Sequence, residues 1–511
     1  MSGVSLEKGV CVKELPFMTG ARGRGPFLVV LFFVSVTVVT IWGTWEGTLP
    51  ASEEAVLAET AREILVTGEG FTMHFDGEPV QNVSPLPLWF MASCYRFFGT
   101  NEFSARLPFV LFAVFTYLLT YLIGIVSETP CDSDSGWINR ARSIGLLSAI
   151  LLAASPIFGR AASHVSFSMP NAFFTALAIL GWLSMYECRS GLLLWGLGVA
   201  GAVFVAGADG AAIVVSAVIA WAVAGRRRPF GRGWFFLVSA IGLALGGVWL
   251  FLNAPPSEGH FFTNTLWSAF AGFVRPLPGS ASGLLGQIKD VWVGNLPWSI
   301  VAAAAFIRVI FFRSKGKGVQ PIDSMLALFT VILFFLLAFT GPGRTDRLLV
   351  ILPAVAVLSA RELSRWITGY GNGSLDRLWS FNQAMVSLFC LLMLLLLATP
   401  LRLHRADVDP IRDIAVMAKQ LSPGDERTGN FRQPHRTQGA RFLFYGGKSL
   451  EEPVYEPEEV GRALERDPTR IFLSSLEDFA LLRKPERVGF ELHILYRAGH
   501  LVLFGAEQGT E

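Results

Sequence analysis

Two adjacent carboxylates, Glu53 and Glu54, come just after the first long apolar run of the chain. A carboxylate held at a membrane surface can take a proton from an acceptor hydroxyl, or bind a metal that activates that hydroxyl. At the start of a helix the same pair also simply complements the positive end of the dipole, and spacing alone leaves both readings open. Downstream, His74, Asp76 and Glu78 alternate. On an extended strand they share one face, an arrangement compatible with a divalent metal or with a solvated polar surface. Arg344 and Arg347 sit within the tight turn 341–347, Gly-Pro-Gly-Arg-Thr-Asp-Arg. Two guanidinium forks in one turn suit bidentate contact with a phosphate, whereas pairing with Asp346 would make them helix-end anchors. Arg275, with Arg160, His164 and His260, is a weaker candidate cation, and Arg106 serves either the phosphate or position and packing.

The elements that must position these residues are set by lipid. Apolar residues make up 52% of the 511, charged residues 16%, and the mean hydropathy is +0.49. Each crossing of the roughly 30 Å hydrocarbon core takes about 20 apolar residues with their backbone groups paired inside the segment. Apolar runs fall at 26–45, 105–126, 143–159, 170–187, 191–206, 209–224, 234–252, 297–312, 323–340, 347–360 and 382–399. They predict an α-helical polytopic membrane protein with about eleven transmembrane helices. The first run, lacking a small-residue cleavage site, reads as a retained signal anchor. With residues 1–25 cytoplasmic, the basic clusters at 140–142, 226–232, 313–317 and 361–377 all fall on the cytoplasmic side, as the positive-inside rule expects. The loops 46–104 and 253–296 and the polar tail 401–511 are then extracytoplasmic.

Within the first outer loop, residues 52–65 read as an amphipathic helix capped by Ser52, with an apolar face suited to the membrane interface. Residues 85–92 form a second interfacial stretch carrying Trp89, and the polar hairpin 71–82 joins the two. In the tail, β-like runs at 441–445, 470–474 and 492–496 surround a helical stretch at 476–482, which predicts a small α/β domain. The net charge of +2 gives no reason to expect nucleic acid. The five cysteines are scattered without a CxxC, so neither a metal knuckle nor a disulfide framework is suggested.

Several of these stretches are similar to a known pattern: Glu53-Glu54, Thr60 to Leu65, Gly77-Glu78-Pro79, Pro85-Leu86, Trp89, Phe98 to Phe103 and Ala105-Arg106-Leu107-Pro108. Together they resemble the first periplasmic loop of glycosyltransferase family 39, which includes lipid A aminoarabinose transferases and protein O-mannosyltransferases. Asn295-Leu296-Pro297-Trp298, the stretch 348–360 with Pro353, and 441–446 resemble later parts of that family. The resemblance implies a GT-C-like fold and transfer of a sugar from a polyprenyl-phosphate carrier to a lipid, glycan or protein acceptor outside the cytoplasm. It also implies that Glu53-Glu54 takes the place of the family's Asp-Glu pair. This chain departs from the family at Val83-Ser84-Pro85, where many members have Lys-Pro-Pro, and at Asp209-Gly210, where they have Lys-Gly.

The expected protein is therefore a multi-pass glycosyltransferase of the cell inner membrane. Its catalytic carboxylates are Glu53 and Glu54, its donor phosphate lies on Arg344, Arg347, Arg106 and Arg275, and a divalent metal is the one cofactor to consider. A non-catalytic relative that binds lipid-linked glycan or a partner enzyme is the alternative that the missing lysines suggest. A lipid-linked-sugar transporter fits less well, because the spans carry few ionisable residues.

Overall fold

The computed structural model describes residues 24–44, 49, 53–80, 83–128, 137–186, 188–224, 232–252, 281–296, 298–312, 320–340, 345–369, 375–398, 410–422, 427–482, 488 and 491–506. The chain divides into two compact units, one of residues 1–43 and 107–398, the other of residues 44–106 and 399–511. The first outer loop thus belongs with the C-terminal tail, whereas the sequence suggested a membrane module at 26–400 and a separate domain at 401–511.

The first unit is helical, and among the described residues the eleven apolar runs lie on helices except at 154–155, where 143–159 breaks, and at 185–186, while 347–360 opens as a 3₁₀ helix. Pro26–Thr44, Glu102–Val126 and Pro321–Ala338 are each long and apolar enough to cross a membrane. Trp137–Ala153 and Pro156–Ala162 pass the same test as a pair bent by 72°, and Gly286–Gly294 with Trp298–Phe311 forms a second broken pair. Ser190–Ala206, Ala208–Ala224 and Gly233–Val248 are shorter apolar helices. By length and composition this is a multi-pass membrane protein.

Small residues let the short helices approach closely. A side chain at Gly181 would run into the backbone of Trp195, and one at Gly198 into Ala178, so the helices Ser168–Ser184 and Ser190–Ala206 touch nearly backbone to backbone. The two breaks are held to each other as well. Ser155, which caps the Pro156–Ala162 helix, hydrogen-bonds Asn295, and the Trp298 indole donates to the Ala154 carbonyl at 3.2 Å. This gives Asn295 and Trp298 of the sequence motif a structural task.

A buried ion network joins the ends of four helices in this unit. Asp323, fully buried, receives Arg361 at 2.6 Å, Arg308 at 2.9 Å and Arg365 at 2.5 Å. Glu362 accepts from Arg308 at 2.6 Å and from the Trp366 indole at 3.0 Å, while Arg361 also reaches Glu128 and the Ser127 carbonyl. Three cations meet three carboxylates. The sequence reading counted Arg361 and Arg365 as solvated loop charges and the spans as nearly free of ionisable groups. Pairing corrects both points, because charges neutralised at this range can leave water together.

The second unit contains a five-stranded mixed sheet in the order β4-β3-β5-β7-β6. Its strands are β3 (Arg427–Asn430), β4 (Ser449–Leu450), β5 (Phe472–Ser475), β6 (Leu492–Ala498) and β7 (Leu501–Ala506). Strand β7 is apolar at successive positions because both of its faces are covered. Leu501 and Leu503 join one core with Ile411, Ile414 and Phe442, whereas Val502 and Phe504 join another with Phe431, Val460 and Phe479. The helix at 476–482 and the strands near 470–474 and 492–496 match the sequence reading. The run 441–445 is instead the end of the His435–Gly446 helix, which Gly447 closes at φ 68°.

Removing the Asp323 charge takes away the carboxylate that three guanidinium groups share, leaving them Glu362 and Glu128. Asp323→Asn is expected to cost about 3–5 kcal/mol, read as a large fall in the thermal midpoint of the detergent-solubilised protein. A variant that melts like wild type would show that the network contributes nothing to stability.

Candidate functional site in the first loop

The paired glutamates open the helix Glu53–Thr67, where two acidic residues in the first turn oppose the partial positive charge of unpaired backbone N–H groups. Ser52, the expected cap, lies outside the described residues. The two glutamates then part company. Glu53 is exposed, whereas Glu54 is only 5% exposed.

Glu54 lies inward against Arg106, with Nε donating to Oε1 at 2.9 Å. The same guanidinium donates through Nη1 to the Thr44 carbonyl at 3.2 Å, and Arg106 is itself 2% exposed. Arg106 was expected among the phosphate-binding cations. Its burial and its two partners make it instead the counter-ion of Glu54, closing the loop at its base.

The Glu53–Thr67 helix is more enclosed than an interfacial helix would be. Residues 54–61 and Glu63 are buried, under the helices Pro85–Phe98 and His435–Gly446 of the same unit. The Tyr95 hydroxyl donates to the Ala58 carbonyl at 3.2 Å, and Trp89 donates to the Gly70 carbonyl at 2.6 Å. Fully buried Glu59 takes both Nε and Nη2 of Arg62, and burial still pushes its carboxyl above the usual range. Phe71, Phe97 and Phe98 remain exposed, as aromatic residues at a membrane interface would be.

The proposed metal face does not form. The chain turns at Asp76 and Gly77, with φ of 57° and 77°, so β1 (His74–Phe75) and β2 (Glu78–Pro79) are the two arms of a tight hairpin. His74 faces Pro79 across the ladder, and Phe75 faces Glu78. Asp76 is tied elsewhere, its N–H donating to Glu63 at 2.6 Å and its carboxylate meeting the Ser449 hydroxyl. No group of three His, Cys, Asp or Glu side chains that could hold a metal occurs among the described residues. The alternation His74, Asp76, Glu78 would share a face only if the strand ran straight.

Of the remaining cations, Arg344, Arg275 and His260 lie outside the described residues. Arg347 stands on a 3₁₀ turn, Thr345–Ile351, partly exposed, with Nε 3.4 Å from Asp209. The sequence named Asp346 as the competing partner, and the structure supplies Asp209. Arg160 and His164 are exposed.

In the first unit a cavity of ≈ 250 Å³ opens between the helices Trp298–Phe312, Pro321–Thr340 and Leu352–Thr368 and the two breaks. Its lining is almost wholly apolar, including Trp292, Phe306, Phe334 and Phe335. Such a space suits a hydrocarbon chain better than a sugar. Sequence reasoning missed this cavity, since apolar residues that line a space and those that fill one look alike. It also missed Tyr445, which the stretch 441–446 signalled only by resemblance.

No family model matches the chain. An uncharacterized protein of Aquifex aeolicus (strain VF5) is 28% identical over 168 residues, which take in 33% of this chain and 30% of that protein. Among solved structures, ArnT from Cupriavidus metallidurans in the apo state is similar at a TM-score of 0.65 and 16% identity, over 94% of this chain and 98% of that one. The same protein bound to undecaprenyl phosphate gives 0.63 at 14% identity with the same coverage. The arabinofuranosyltransferase AftD from Mycobacteria gives 0.52 at 14% identity, over 96% of this chain and 40% of its own. The likeness at these identities is one of fold, and the fold is the ArnT-like GT-C architecture that the sequence pattern implied.

Arg106→Ala leaves the Glu54 carboxylate buried without its cation and should cost about 3–5 kcal/mol. Replacing Glu54 and Arg106 together by apolar residues of similar volume should recover much of that loss. Thermal melting of the three proteins checks this, and a double variant no more stable than Arg106→Ala would sink the pairing argument.

Proposed function

We propose that the protein is a membrane glycosyltransferase of the family 39 kind, moving a sugar from a polyprenyl-phosphate carrier to a lipid, glycan or protein acceptor on the extracytoplasmic face. The observation that carries this reading is the unequal fate of two neighbouring carboxylates. Glu54 is locked by Arg106, and that lock holds Glu53, exposed one residue earlier, at the mouth of the loop. An exposed carboxylate on a rigidly held helix start is what a general base for an acceptor hydroxyl requires.

In this mechanism Glu53 accepts the hydroxyl proton as the acceptor oxygen bonds to the anomeric carbon. The bond from that carbon to the phosphate oxygen breaks, and its electron pair leaves with polyprenyl phosphate. Arg347, with Arg344 and Arg275, supplies positive charge to the leaving phosphate. The apolar cavity takes part of the isoprenoid chain. The ArnT structure bound to undecaprenyl phosphate supports a donor of this class for the shared fold.

A second reading, a non-catalytic binder of lipid-linked glycan, is favoured by one observation. Asp209 pairs with Arg347 and so offsets charge that the carrier phosphate would need. Sugar transfer from synthetic polyprenyl-phosphate sugars, in membranes with matched expression, separates the two. Wild type should transfer sugar, and Glu53→Gln should lower the rate about 10²- to 10⁴-fold with its thermal midpoint kept. Failure of wild type across a broad donor panel would favour the binder, and a fully active Glu53→Gln would remove Glu53 from the chemistry.

A further inference from the structure

Leu49 and Glu102 mark the two ends of the first loop, and one side chain from far along the sequence meets both. The Tyr445 hydroxyl accepts the Leu49 N–H at 2.9 Å and faces the Glu102 carboxylate. Arg412, on the neighbouring helix Pro410–Leu421, lies 3.3 Å from that carboxylate, and its guanidinium sits 5.7 Å from the centre of the Tyr445 ring. Phe444, the adjacent residue, packs its ring 6.3 Å from that of Tyr95, whose hydroxyl holds the Glu53–Thr67 helix at Ala58. Glu54, five residues on from Leu49, and Arg106, one helical turn on from Glu102, join the same two segments a second time. The loop base is thus a two-rung clasp, with one rung intrinsic to the loop and the other supplied by the C-terminal domain.

We propose that Tyr445 is a positioning residue for the Glu53–Glu54 carboxylates, so that the C-terminal domain sets the geometry of the loop in which the transfer chemistry is placed. The proposal rests on the glycosyltransferase reading for its effect on rate, but not for its effect on structure. A neutral phenol is the right group for this position. It can donate to a carboxylate while accepting from a backbone amide, and phenylalanine keeps the ring contacts but does neither.

The test uses the full-length protein with Tyr445→Phe, wild type, and Tyr455→Phe as a control at an exposed tyrosine outside the clasp. Hydrogen exchange needs no substrate. Backbone amides of residues 57–64 should exchange about tenfold faster in Tyr445→Phe alone, with β5 and β7 unchanged. A rise shared by the whole domain, or no rise at all, overturns the proposal. With a donor that wild type accepts, Tyr445→Phe should lower kcat about ten- to a hundredfold at unchanged donor KM. A rate within twofold of wild type would overturn it, as would a change confined to KM. If wild type transfers from no donor, the functional reading fails while the exchange result still decides whether Tyr445 positions the loop.

Discussion

A carboxylate and a guanidinium that have both left water must find each other, and the pairing of Glu54 with Arg106 sets the form of the first loop. Each ion removed from water costs several kcal/mol, recovered only at hydrogen-bonding distance with good geometry. The pair therefore has few tolerable arrangements, and all of them hold the start of the Glu53–Thr67 helix against the start of the Glu102–Val126 helix. The exposure of Glu53 follows from where that base is held. Carboxylates beside one another in sequence come to differ because the helix turns by about 100° per residue, burying one and presenting the next.

The same economy recurs in the helical unit. Asp323 gathers three arginines, and the remaining polar groups of the spans are mostly satisfied within one turn, as when Thr330 donates to the Leu326 carbonyl. Small residues then permit the close contacts of the Ser168–Ser184 and Ser190–Ala206 helices. The apolar cavity lies beside the two broken pairs, whose residues Ser155, Asn295 and Trp298 form part of its lining.

The helices were legible in the sequence because a lipid solvent imposes a length and a composition on each crossing, although among the described residues three of them, or up to five spans counting the bent pairs, are long and apolar enough to cross, against the eleven expected. The GT-C architecture was legible only through motif resemblance. Within the loop, spacing located Glu53 and Glu54 but could not separate their roles, since that depends on Arg106 across the loop base. The alternation of His74, Asp76 and Glu78 misled because Asp-Gly is also a hairpin turn, and turn chemistry won over period. The run 441–445 misled because a short apolar run fits helix or strand equally until a closing glycine decides. Partners distant in sequence, such as Arg361 with Glu128 or Tyr445 with Leu49, leave no local signature at all.

That last distance has a consequence in time. Leu49 and Tyr445 are 396 residues apart, and synthesis at roughly 5–20 residues per second separates their emergence by about 20–80 seconds. Throughout that interval the loop has its own Glu54–Arg106 closure but not the one from the C-terminal domain. A newly inserted chain thus passes through a half-fastened stage, and the loop base is complete only after Tyr445 has been made.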